Sequence, residues 1–395
     1  MKTKILITVF VLVFVFFAAL IIMPADVESV LSENREPAKM PRISFESIIS
    51  GEFFADFETY LSDNIGLRGK LIAISNKFNN LKGIKSYGYI SEVNADLGTG
   101  DVTTQKGLLI ADDKIMEIYK VNTEFRDNYV TMINHYADKL PENINLYSMV
   151  IPTQIEFAEK NYRELADSQK DTIEYIYSKT DERVNCVDAY SALSNHKNEY
   201  IYFKTDHHWT TLGAYYAYRE FAKASGVSGA DIGNFTEKKA ENFLGYLYNQ
   251  AQATELKDKP DTIYYYTDGN RYPFDAWAWE NGEIVKYKGA IFNVPEAGAE
   301  TKYSIFMGGD HSLLDLKTGV NNGRKLLILK DSYANAFMPW LVNSFESVVA
   351  VDPRSFGGNI SDVISQYGIT DVLLMNYSLT TNFNEIIQAE MRIYN

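Results

Sequence analysis

The sequence predicts an α/β fold: a mostly parallel sheet with helices on both faces. Three observations predict it. INLYSMVIPT (Ile144–Thr153), RKLLILKDS (Arg324–Ser332), ESVVAVDP (Glu346–Pro353) and TDVLLMNYS (Thr370–Ser378) carry continuous apolar runs, as strands buried on both faces do. A helix-like segment follows each of the last three, and alternation of this kind favours parallel strands joined by crossover helices. Of the 395 residues, 46% are hydrophobic and 23% charged, an ordinary globular balance that supports one or two domains with a sizeable core.

Taken in order, the chain opens with Lys2 and Lys4 before an uncharged run from Ile5 to Met23. At about 1.5 Å per residue this run approaches the thickness of a bilayer core. It continues to Pro24 without a small-x-small cleavage site, so residues 1–23 are expected to be an uncleaved transmembrane anchor with the remainder extracytoplasmic. Residues 24–44, including VESVLSENREPAKMPR, read as a linker of low order. From Phe45 the spacing of Phe53, Phe54, Phe57, Tyr60 and Leu61 predicts a helix. A second, from Leu67 to about Leu81, completes a helical hairpin (45–81) around the joint DNIGLR (Asp63–Arg68). Residues 45–395 are expected to form the α/β domain, with a further helix around Tyr129 to Leu140. Within it, about 262–294 reads as a β-rich insertion, with period near two and turns at Asp268-Gly269 and Asn281-Gly282. SIFMGGDHSLL (Ser304–Leu314) is expected to be a strand ending in two glycines. No internal repeat is evident.

Charge and cysteine content exclude several functions. Lys+Arg 38 against Asp+Glu 52 gives a net charge of -14, which repels phosphate backbones and argues against nucleic-acid binding. One cysteine, Cys186, permits neither an intrachain disulfide nor a thiolate zinc cluster.

The segment FKTDHHWTTLGAYYAYREF (Phe203–Phe221) carries the most chemistry. An acid two residues before an imidazole, on a turn entering a helix, can accept the Nδ1 proton of His208 and leave Nε2 as a general base. The competing reading is a surface histidine pair with Asp206 as a capping residue. A metal site is disfavoured, because adjacent histidines diverge and no His-x3-His partner is present. The best-placed nucleophile is Ser332, between an apolar strand and the helix-like YANAFMPWL, where backbone N–H groups can stabilise an oxyanion. Its competing reading is that Asp331 and Ser332 only cap the helix.

TDHHWT followed by KDSYANAF resembles the DHHW family of bacterial extracytoplasmic proteins, itself similar to the periplasmic alginate O-acetyltransferase group with an SGNH-hydrolase-like domain. The resemblance implies an SGNH-like α/β domain in which Asp206 orients, His208 is the base and Ser332 is the nucleophile. Lys330-Asp331 precede the serine where those families carry Gly-Thr or Gly-Asp, and an acid there would disfavour an oxyanion. Gly308, Gly309 and Asn376 are the candidate oxyanion donors. Trp209, Tyr333 and Arg354 are candidate substrate residues, the last able either to bind an acidic sugar or to pair with Asp352. His207, Asp310 and His311 stand in reserve.

Twenty-eight tyrosines and four tryptophans would suit a saccharide groove, although aromatic residues also fill cores. The expectation is therefore an O-acetyltransferase or carbohydrate esterase acting on cell-surface polysaccharide, with no metal or other cofactor. The resemblance adds a membrane-bound O-acyltransferase as acetyl-donor partner if the reaction is transfer. The alternative is a non-catalytic polysaccharide-binding or assembly protein on the same fold.

Overall fold

The computed structural model describes residues 10, 15, 19, 20, 23–27, 37–50, 52–71, 107–111, 113–251, 253, 256–280, 283–296 and 301–394. They belong to two compact units, Met1–Gly88 with Tyr246–Lys257, and Tyr89–Gly245 with Asp258–Asn395.

In the first unit, helices span Phe45–Ser50, Glu52–Asp63 and Tyr246–Ala251. Phe53 and Phe57 stack one helical turn apart, at 5.7 Å between ring centroids. The expected second helix of the hairpin lies outside the described residues beyond position 71, and the linker does so over 28–36. Near the linker's end, the Ala38 amide donates to Asp63 Oδ2 at 2.9 Å and its carbonyl accepts from Asn64 Nδ2 at 3.0 Å.

The membrane-anchor assignment is corrected. Among the described residues no helix is long and apolar enough to cross a membrane, and most of 5–23 lies outside them. The described end of that run is engaged by protein: Leu20 is buried, its carbonyl accepts the Gly66 amide at 2.9 Å, and Asp26 N–H donates to the Ile65 carbonyl.

The second unit holds twelve strands among its described residues: β1 (Gly107–Ala111), β2 (Lys114–Ile118), β3 (Asn145–Ile151), β4 (Val184–Cys186), β5 (Thr236–Phe243), β6 (Asp261–Thr267), β7 (Pro273–Glu280), β8 (Glu283–Ala290), β9 (Leu313–Lys317), β10 (Lys325–Lys330), β11 (Ser347–Val351) and β12 (Asp371–Tyr377). Eight form one sheet in the order β4-β3-β12-β10-β11-β9-β7-β8. From β4 to β11 all neighbours are parallel, whereas β9, β7 and β8 continue the sheet antiparallel. The three apolar runs after residue 320 are thus adjacent parallel strands, with β10 between β11 and β12.

Alternate residues of these strands enter two cores. Leu326, Ile328, Val348, Ala350, Leu373 and Met375 pack with the Thr211–Ser225 and Ala334–Leu341 helices. Leu327, Leu329, Val349, Val351, Val372 and Leu374 pack with the Thr123–Lys139, Ile360–Tyr367 and Asn384–Arg392 helices. This explains why the runs lack alternation: both faces are apolar because both are covered.

Two expected features take another form. The β-rich stretch is divided, since β6 pairs with β5 while β7 and β8 extend the main sheet; Asn281-Gly282 lies outside the described residues. Ser304–Leu314 is mostly a turn. A 3-10 turn covers Tyr303–Ile305, and Met307, Gly308 and Gly309 all have positive φ (58°, 72° and 110°), a run of left-handed backbone no strand accommodates. β9 begins only at Leu313.

One buried carboxyl connects sheet and helices. Glu390 is 1% exposed; its Oε1 accepts Asn376 Nδ2 at 3.0 Å, and Asn376 Oδ1 accepts Tyr129 OH at 2.8 Å. Glu390 Oε2 has no hydrogen-bond partner among the described residues. Burial pushes this carboxyl from 4.5 up to about 8, opposed by the Asn376 bond and reinforced by Asp331 and Asp352. Within that window the folded chain keeps a proton that the unfolded chain releases. Stability from this group is therefore complete below the ordinary value and falls as pH rises through the window, by at most about 1.4 kcal/mol per unit. Glu390→Gln should flatten the decline between about pH 5 and about pH 8, read by urea unfolding; an unchanged slope would show that Glu390 titrates normally.

Candidate functional site

The DHH segment sits at the tip of a narrow loop. Tyr202 and Trp209 form an antiparallel bridge, Thr210 N–H donates to the Ile201 carbonyl at 2.9 Å, and Phe203 N–H donates to the His208 carbonyl at 3.3 Å. Thr210 then caps the following helix by accepting the Gly213 amide. The loop's entry is held by Asp261, at the start of β6. Its carboxylate accepts Lys204 N–H, Thr205 N–H at 2.8 Å, Thr205 Oγ1 at 2.6 Å and Tyr200 OH at 2.5 Å. Burial raises this carboxyl even though all these donors oppose the shift. Gly245 presses against the tip: a Cβ there would meet Asp206 Cβ at 2.2 Å, so that approach admits only glycine.

Asp206 and His208 are both 4% exposed. Asp206 Oδ1 accepts the His208 backbone N–H at 2.9 Å and lies 2.5 Å from His208 Nδ1. On the far side of the ring, Nε2 lies 2.7 Å from Ser332 Oγ. With the Nδ1 proton facing the carboxylate, Nε2 accepts the serine hydroxyl.

Ser332 is half-buried just beyond β10. Its carbonyl accepts Asn335 N–H at 3.1 Å and Tyr303 OH at 3.1 Å, while no described group accepts its own amide hydrogen. The preceding acid faces elsewhere. Asp331 Oδ1 accepts Tyr333 N–H at 2.9 Å, and its Oδ2 accepts Tyr377 N–H at 2.8 Å and Thr380 Oγ1 at 3.1 Å. It ties the end of β10 to the end of β12, and burial raises its carboxyl despite those bonds. Asp331 rather than Ser332 therefore caps the turn into the Ala334–Leu341 helix.

The other expected residues are placed differently. Asn376 is fully buried, with its amide committed to Glu390 and Tyr129. Trp209 is a core residue whose Nε1 donates to the Tyr333 carbonyl. Tyr333 is also buried, stacked on Tyr377 at 4.8 Å, with its hydroxyl donated to the His207 carbonyl. Arg354 forks onto Asp352 and reaches Asp310 at 2.9 Å. Asp310 also accepts Lys330 Nζ at 2.7 Å and Asn335 Nδ2 at 2.8 Å. Burial pushes the Asp310 carboxyl up, but Lys330 and Arg354 outweigh it and hold it far below the usual carboxylate range. His311 Nε2 lies 2.9 Å from the Met307 carbonyl, and burial depresses its basicity. Gly308 and Gly309 form the strained turn of the same loop. His207 Nδ1 is 3.9 Å from Asp206. Asp206, His207 and His208 lie close enough to hold a cation, but His208 presents its two nitrogens to Asp206 and Ser332, a poor fit to metal ligation.

Tyr303 and Asp261 escaped the sequence reading. The Tyr303 ring lies parallel to the His208 imidazole, 3.7 Å between centroids and 7° between planes, fixing the ring plane while its hydroxyl holds the Ser332 carbonyl. No local pattern marks either residue; both act across the fold.

Asp261→Asn would turn an amide NH2 toward backbone and hydroxyl donors. It should cost about 2–4 kcal/mol of unfolding free energy by urea titration; a loss below about 0.5 kcal/mol would mean that other contacts hold the loop.

The family model described as "DHHW protein" matches residues 90–351. A DHHW family protein from Eubacterium siraeum is 32% identical, covering 71% of this chain and 94% of its own, with a TM-score of 0.63. Bacillus cereus PatB1, solved with a sulfonyl adduct, is 20% identical over 73% of this chain and 100% of its own, with a TM-score of 0.60. The O-acetyltransferase domain of Pseudomonas putida AlgJ is 13% identical over 72% of this chain and 98% of its own, with a TM-score of 0.44. Comparison with curated proteins finds no match. With the family model spanning the DHHW string at 206–209 and Ser332, the chain belongs to the DHHW protein family.

Proposed function

We propose that the protein transfers an acyl group, by analogy of family an acetyl group, from an ester donor to a polysaccharide hydroxyl or to water, through an acyl-enzyme on Ser332. The observation that supports this reading is the unbroken hydrogen-bonded line Asp206–His208–Ser332, with separations of 2.5 and 2.7 Å. Ser332 Oγ attacks the acyl carbonyl while His208 Nε2 takes its proton, and the imidazolium passes that proton to the departing donor oxygen. The incoming hydroxyl then gives its proton to Nε2, attacks the acyl carbon and releases Ser332 Oγ, which regains a proton. Asp206 keeps the imidazole in the productive tautomer and stabilises the charge that forms on it. The Ser332 amide is the candidate oxyanion donor. In transfer, a membrane-bound O-acyltransferase would supply the acetyl group.

An arylsulfonyl fluoride tests the nucleophile directly, because Oγ displaces fluoride from sulfur and leaves a stable adduct. Peptide mass analysis should locate it on Ser332, and Ser332→Ala should be unlabelled while unfolding within about 1 kcal/mol of the parent. Hydrolysis of an activated acetyl ester should fall by several powers of ten, roughly 10³ or more, in Ser332→Ala and His208→Ala, with the double variant scarcely worse. Full turnover by Ser332→Ala would refute the assignment. A parent protein that neither labels nor turns over ester, yet retains polysaccharide on a glycan column, would be a scaffold.

A further inference from the structure

Between the start of the Thr211–Ser225 helix and the β5–β6 ladder lies a cleft of about 270 Å3, lined by Tyr200, Thr210, Leu212, Glu237, Tyr264 and Tyr266. It is small beside drug-sized pockets of about 300–1,000 Å3, and suits a single compact group. Tyr264 and Tyr266 share one face of β6 by the two-residue strand period, and Glu237 is the register partner of Tyr266 on the same ladder. Tyr200 meets Tyr264 edge-on, 6.3 Å between centroids at 85°, which makes two walls of the cleft.

The lining has already given up most of its hydrogen-bond donors. Tyr200 OH donates to Asp261, Tyr266 OH donates to Glu237 Oε2 at 2.9 Å, and Thr210 Oγ1 donates to the Tyr200 carbonyl at 2.7 Å. What remains for a ligand is aromatic surface, the Tyr264 hydroxyl, the Leu212 side chain and an exposed carboxylate. Among the described residues, no lysine, arginine or histidine lines the cleft. Lys239, opposite Tyr264 on the ladder, holds Glu241 at 2.6 Å instead. An anion would find only that lysine nearby, already paired, and a neutral sugar would find few donors for its ring and hydroxyl oxygens. Aromatic faces beside a carboxylate attract an organic cation, through the ring quadrupole and the full negative charge together. The chain's net charge of -14 favours the same sign of ligand.

We propose that this cleft is a binding site for an organic ammonium group, with Tyr200, Tyr264 and Tyr266 as its aromatic walls and Glu237 as its counter-charge. The site stands independently of the acyl-transfer reading. Two sources carry such a group, a quaternary ammonium on a small molecule and the amine of an amino sugar; they share the recognised chemistry, and the test separates them.

The experiment is calorimetric titration of the full chain with choline, glucosamine, N-acetylglucosamine and 3,3-dimethylbutan-1-ol, the last a neutral isostere of choline. Saturable binding of choline or glucosamine is expected, with the neutral counterpart of each at least about tenfold weaker. The tighter of the two charged ligands identifies the source. Glu237→Gln, at an exposed position, should weaken the charged ligand by at least about threefold, and Tyr264→Leu by about tenfold, with sulfonyl labelling of Ser332 unchanged. Four outcomes would overturn the proposal: no saturation by either ammonium, equal binding of the neutral isostere, N-acetylglucosamine binding tighter than glucosamine, or unaltered affinity in both variants.

Discussion

The hydrogen bond between His208 Nε2 and Ser332 Oγ joins groups 124 residues apart, and much of the buried polar structure around it serves to keep those two atoms in register. Neither side is held by the sheet ladder itself. Ser332 lies in the turn two residues past the end of β10, and His208 lies on a loop with a single bridge at its base. Backbone groups at such places lack ladder partners, so side chains must supply them. Asp331 does so for the serine, drawing Tyr333 and Tyr377 amides together. Asp261 does so for the histidine loop, accepting from Lys204, Thr205 and Tyr200. Tyr303 touches both halves, stacking on the imidazole and binding the serine carbonyl.

Several acids crowd this crevice, and they are kept from acting as one negative field. Asp206 faces His208. Asp310 and Asp352 are neutralised by Lys330, itself only 2% exposed, and by Arg354, which bridges the two. A buried charge is tolerated only when paired and hydrogen-bonded, and this cluster meets that condition beside Ser332. Asp331 directs its carboxylate toward amides behind the serine, which removes the conflict an acid next to an oxyanion would create. Position in the sequence suggested repulsion, whereas side-chain direction makes the same residue a clamp.

What the sequence revealed of this arrangement follows from the range of the interactions. Buried parallel strands carry their signature within five or six residues, so β10, β11 and β12 were readable from composition alone. Asp206 and His208 are two residues apart, and a string that short can be judged chemically without a fold. The pairing of His208 with Ser332 joined two separated local signals, a base on a turn and a serine after a strand, and the family resemblance pointed to the same pair. Beyond that range the reading failed. Period two marked β7 and β8 as strands but could not show that they join the main sheet, because partner choice is made by residues far along the chain. SIFMGGD looked like a strand because Ile305, Phe306 and Met307 are apolar; their burial comes from packing under a left-handed turn. Leu20, read as part of a membrane span, is instead covered at the Ile65–Gly66 joint.

The tyrosine content illustrates the same limit from the other side. Twenty-eight tyrosines suggested a sugar groove, yet several buried ones are structural donors: Tyr202 to the Pro152 carbonyl, Tyr303 to Ser332, Tyr333 to His207 and Tyr129 to Asn376. Each ring fills core while its hydroxyl reaches a polar acceptor: a loop carbonyl for Tyr202, Tyr303 and Tyr333, and the Asn376 side chain on β12 for Tyr129. Phenylalanine would fill the same space and strand a buried carbonyl or amide, at about 1–3 kcal/mol each. A crevice built from strand ends and loops presents many such acceptors, which accounts for tyrosine there without any ligand. Where Tyr200 and Tyr266 come to the surface beside a carboxylate, their hydroxyls are already committed. The faces of the rings are then what they have left to offer, as they do around Glu237.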